Sequence, residues 1–136
     1  MWLLTAALIA YSCFEIVHTV SLRAVSCIAL AVQILISGLL LTVPRMAQSS
    51  PGSVHFGARR FSEYTPEQRR KLMPILRRMA GAISVAMNLF CVFVIHSGPD
   101  LSILLWAVGL LVANMMIIFY YLDRFDDEAG PPGNPV

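Results

Sequence analysis

Four apolar stretches divide the chain, at residues 2–20, 24–43, 79–97 and 101–122. Each is close to the roughly 20 residues that a helix rising about 1.5 Å per residue needs to cross a hydrocarbon core of about 30 Å. The pattern predicts an all-α protein, an integral membrane bundle of four transmembrane helices over residues 1–125. Between the first two stretches HTVSLR contains neither Gly nor Pro. A continuous helix from Trp2 to Val43 would nonetheless be about twice the bilayer thickness, so a tight hairpin from His18 to Arg23 is the cheaper solution. No Lys or Arg precedes Arg23, which argues for a permanent first span over a cleaved signal segment with its basic start.

The third and fourth stretches are joined by SGPD, whereas the second and third are separated by a polar connection at residues 44–78. Its first half, PRMAQSSPGSVHFGARRF, is rich in Pro, Gly and Ser and reads as an irregular loop. Its second half carries helix signals: Thr65 can cap, Pro66 suits the first helical position, and Gln68 completes a capping box. There Leu72, Ile75, Leu76 and Met79 recur at helical spacing opposite Arg69, Arg70, Lys71, Arg77 and Arg78. This is an amphipathic helix expected to lie in a headgroup region, its arginines meeting anionic lipid at about 1 kcal/mol each. Pro74 predicts a bend where this surface helix turns into the third span.

Composition supports the membrane setting: 57% of the 136 residues are hydrophobic and 13% charged, with mean hydropathy +0.71. The net charge of +2 hides a block, because eight of the ten basic residues fall within residues 44–78. Short basic loops stay cytoplasmic, so this connection and both termini are expected on that side. The tail at 126–136 begins acidic, ends Pro/Gly-rich, and is expected to be disordered. No nucleic-acid partner is implied; the expected partners are the bilayer, anionic lipid headgroups, and a second copy or another membrane protein.

Polar residues inside the spans are the candidate functional positions. Gln33, Asn88 and Asn114 all fall near the bilayer midplane and are expected to face one another as packing glue. Ala80 with Ser84, and Gly109 with Ala113, would allow close backbone approach. Glu15, His18, Arg23, His96 and Asp100 collect at the outer end. Glu15 and His18 share a helix face, and with His96 they form a candidate metal set of mixed nitrogen and oxygen donors. No cofactor is required by this pattern, but a divalent metal or haem would find ligands there. In the simpler reading Glu15 pairs with Arg23 and the histidines are wet. Cys13, Cys27 and Cys91 form no Cys-x-x-Cys and read as free thiols.

The stretch VHFGARRFSEYTPEQRRKLMPILRRM, followed by a span ending in CVFVIHSG, resembles the C-terminal half of bacterial SdpI-like multi-pass membrane proteins of unknown function. The resemblance covers residues 24–122 and rests on Tyr64, Pro66, Glu67, Arg69, Arg70 and His96. It implies a bacterial cytoplasmic (inner) membrane location and an immunity- or signalling-like role, and it transfers no catalytic residue. Three functional classes follow: an accessory or interaction protein without catalysis, a proton-coupled small transporter using Glu15, or a membrane metal- or haem-binding enzyme using Glu15, His18 and His96.

Overall fold

The computed structural model describes residues 1–18, 24–56, 59–97 and 102–129. Four helices carry the fold: α1 (Trp2–His18), α2 (Ala24–Ser49), α3 (Pro66–Ser97) and α4 (Ser102–Ala129). The α2–α3 connection contains two single-turn 3-10 helices, Pro51–Ser53 and Phe61–Glu63. Between them is a two-residue antiparallel ladder, β1 (His55–Phe56) with β2 (Arg59–Arg60), in which His55 faces Arg60. Among the described residues the secondary structure is therefore helical apart from this small ladder. The helices containing Ser26–Ser49, Pro66–His96 and Leu104–Phe125 are long and apolar enough to cross a membrane; α1 is apolar but shorter, about 26 Å at helical rise.

α3 packs against each of the other three helices. It runs parallel to α1: Thr5 meets Ser84 and Glu15 meets His96, pairs 79 and 81 residues apart, while Met1 lies against Gly81. α4 runs antiparallel to α3, since Asn114 meets Met87 and the Trp106 ring packs tilted against Phe93. α2 is also antiparallel, with Ser37 on Asn88 and the Arg45 end beside Arg77.

Pro44, expected in the irregular loop, lies inside α2, and Pro74, expected at a bend, lies inside α3. The amphipathic segment is thus the opening of α3 and not a separate surface helix. The energetics explain this. Pro74 forfeits a backbone bond at a cost of about 3 kcal/mol, but fully burying an aliphatic side chain returns about 1.5–3 kcal/mol, and Leu72, Ile75 and Leu76 are all buried. They pack with Ala47, Phe61, Tyr64 and Phe125 in one cluster. The apolar face of this segment therefore meets protein, not a headgroup layer.

The capping box forms as expected, with the Thr65 N–H donating to Gln68 Oε1 at 2.9 Å and the Gln68 N–H donating to Thr65 Oγ1 at 3.3 Å. The loop read as irregular folds over the bundle end, and Tyr64 packs edge-on to Phe125 at 5.4 Å. Anchored by that aromatic contact, α4 continues to Ala129, past the expected start of the tail; residues 130–136 lie outside the described part.

Away from this cluster the polarity is inverted. Buried positions of α1, α2 and α3 include Thr5, Ser12, Ser26, Gln33, Ser37, Ser84 and Asn88, whereas Leu3, Phe14, Leu35, Leu105, Leu111 and Met116 are exposed. Such a surface is unfavourable in water and suits a hydrocarbon surround.

Candidate functional site

The buried polar residues form a column between α1, α2 and α3. Near its middle the Asn88 amide donates to Ser37 Oγ at 2.8 Å and to the Ser84 carbonyl at 2.7 Å. One turn lower, Ser84 Oγ and Thr5 Oγ1 are 3.3 Å apart. Gln33 stands one turn from Ser37 toward the Glu15 end, and Ser12 stands one turn before Glu15. Gln33 is only 1% exposed and Ser12 and Asn88 are fully covered. Yet Ser12 Oγ, both amide atoms of Gln33 and Asn88 Oδ1 have no hydrogen-bond partner among the described residues. Each such group costs about 1–3 kcal/mol if left dry, so the column is chemically unfinished.

Glu15 and His96 close the column at one end. Glu15 Oε1 lies 2.8 Å from His96 Nδ1, with the Glu15 side chain 18% exposed and that of His96 69% exposed. Parallel packing of α1 on α3 brings together these two residues from opposite halves of the chain. His18 does not join them. Its Nδ1 lies 3.1 Å from the Phe14 carbonyl and its ring stacks on Phe14 at 4.0 Å, so the Glu-x-x-His pair does not converge as a chelate. Arg23 and Asp100 lie outside the described residues. Among the described residues no group of three His, Cys, Asp or Glu side chains could hold a metal, and the ligand set Glu15, His18 and His96 is not assembled.

The three amides expected at the midplane do not meet on one face: Gln33 lies one turn from Ser37, the partner of Asn88. Asn114 sits beside Met87, next to Asn88 in sequence, but on the α4 side of α3. Its amide donates to the Leu110 carbonyl at 3.0 Å and contacts Met87 Sδ at 3.6 Å. Short serine hydroxyls serve Asn88 instead, and the expected amide-to-amide network does not form. Of the proposed small-residue contacts, Ala80 and Ser84 are buried, but Gly109 has open space around it and lines an apolar groove of about 340 Å³ between α3 and α4. The three cysteines are free; Cys91 is buried, and Cys13 and Cys27 are exposed.

At the opposite end the basic residues divide. Lys71 lies 3.9 Å from Glu67, and Arg69 Nε donates to the Tyr64 carbonyl at 3.0 Å. Arg69, Arg70 and Arg77 line a recess of about 470 Å³ between the end of α2 and the start of α3. The sequence offered a cue to the column that its reading missed: Thr5 and Ser12, and Ser26 and Gln33, are each seven residues apart on otherwise apolar helices, the spacing of one buried stripe. No family model, curated protein or solved structure matches this chain.

Proposed function

We propose that the chain is a small multi-pass accessory or interaction protein of a bacterial cytoplasmic membrane, crossing it four times with both termini and the 44–78 connection on the cytoplasmic side. The observation that carries the interaction role is the state of α4. Packed through one narrow face on α3, it has no residue of its most apolar 18 buried inside the chain. A helix so little covered by its own bundle is suited to pairing with another helix in the bilayer. A photoreactive residue replacing Leu105 or Met116 should give a protein adduct of discrete mass in intact membranes. An increment equal to the chain's own 15.0 kDa identifies a homodimer, and another fixed increment identifies a different partner. Lipid adducts alone at both positions would sink the interaction role.

A second reading, proton-coupled transport, is supported by the Glu15–His96 pair at the head of the unfinished column. Carboxylate and imidazole groups inside membrane helices are suited to proton relays, and the open valences of Ser12 and Gln33 could be filled by water or by a hydrogen-bonding substrate. The measurement is proton release from purified protein on addition of a lipophilic cation. Release that disappears in Glu15→Gln supports this reading, and release unchanged by that substitution counts against it.

A further inference from the structure

The recess at the α2–α3 end does not stand alone. The larger cavity, about 470 Å³, is lined by Gln48, Arg69, Arg70 and Arg77 among others. A second of about 190 Å³ is lined by Trp2, Leu41, Pro44, Arg45, Gln48 and Arg77. Gln48 and Arg77 belong to both, so the two cavities adjoin. The faces that form them follow from helical spacing: Leu41, Pro44, Arg45 and Gln48 on α2, and Arg70, Pro74 and Arg77 on α3, in antiparallel helices.

Among the described residues the charge in this groove is uncompensated, and no carboxylate lines either cavity. The guanidinium groups of Arg45, Arg70 and Arg77 take part in no hydrogen bond or ion pair among the described residues, and the one Lys or Arg ion pair found there joins Lys71 to Glu67 outside the groove. Guanidinium groups are suited to bidentate bonding with phosphate oxygens. Basic pockets between helices at a membrane face suit phospholipid headgroups, and Trp2 adds an aromatic residue of the kind enriched at headgroup level. Phe61 and Met73 in one cavity, and Leu41 in the other, supply apolar walls for the first carbons of an acyl chain.

We propose that the two adjoining cavities form one binding site for an anionic phospholipid carrying two phosphates, one held by Arg70 and Arg77 and the other by Arg45, with Gln48 between them. The site rests on the membrane-spanning reading given above and adds a ligand class to it.

The test uses the full chain, purified in detergent, delipidated, and offered lipids in turn with retention read by native mass spectrometry. The expected order is diphosphatidylglycerol above phosphatidylglycerol above phosphatidylcholine. Arg77→Gln should lower retention of diphosphatidylglycerol by about tenfold or more, from loss of a charge-assisted bidentate contact, while Lys71→Gln leaves it unchanged. Arg77 is exposed and its side chain is unbonded among the described residues, so an unaltered unfolding temperature checks that Arg77→Gln remains folded. Equal retention of the one- and two-phosphate lipids, or undiminished retention in Arg77→Gln, overturns the proposal. Displacement of the lipid by millimolar pyrophosphate overturns the lipid assignment in favour of a free anion. Resistance to alkaline extraction reads the spanning itself, so failure of that premise is distinguishable from failure of the site.

Discussion

Gln33 and Asn88 are both buried amides, yet they should behave differently when replaced. Asn88 donates to Ser37 and to the Ser84 carbonyl. Asn88→Leu therefore removes one interhelical bond, to Ser37, and one within α3, and leaves Ser37 without that partner, at an expected cost of about 1–2 kcal/mol. The Gln33 side chain makes no hydrogen bond among the described residues, and Gln33→Met keeps its length while removing two unsatisfied groups, which should be neutral or stabilising by about 1 kcal/mol. Thermal unfolding of both variants in the same detergent checks the contrast; a destabilised Gln33→Met would mean that its amide is satisfied by bound water or ligand. That both residues are buried was legible in the sequence, because an amide in an apolar helix avoids lipid. Which of them finds a partner was not, because it depends on hydroxyls supplied by other helices at distances set by packing.

At the scale of elements, the closure of the basic end by the 50–65 loop and the last turns of α4 is the feature most exposed to test. Phe125 is 1% exposed and packs with Phe61, Tyr64, Leu72 and Leu76. Phe125→Ala should cost about 3–5 kcal/mol in the stability of this cluster and loosen the loop locally. Limited proteolysis should then cut between Ser50 and Tyr64 faster than in the parent chain, and an unchanged cleavage rate would show that the aromatic cluster does not hold the loop. The capping box at Thr65 and Gln68 was readable because it is local, three residues apart. The continuity of α2 through Pro44 and of α3 through Pro74 was not readable, since a proline's local cost is offset by side chains buried against distant Phe61 and Phe125.

For the whole molecule, the parallel α1–α3 register places Glu15 and His96 at one end, while Arg45, Arg70 and Arg77 gather at the other. In a chain with its cysteines replaced, His96→Cys should react with a membrane-impermeant maleimide on intact cells, and Gln48→Cys only after permeabilisation. Labelling of both from the same side would refute the proposed topology. By itself the sequence determined that long apolar helices dominate, that the basic residues cluster in one connection, and that polar side chains interrupt the helices at separated levels. These are consequences of composition and spacing within a helix, both local. Only the tertiary structure decided which interruptions meet: Glu15 with His96 but not with His18, Asn88 with serines but not with Asn114, and Arg45 with Arg77 across a shared recess. Those pairings depend on which faces of α3 receive α1, α2 and α4 and in what register, a choice made by packing over the whole bundle that helical periodicity does not encode.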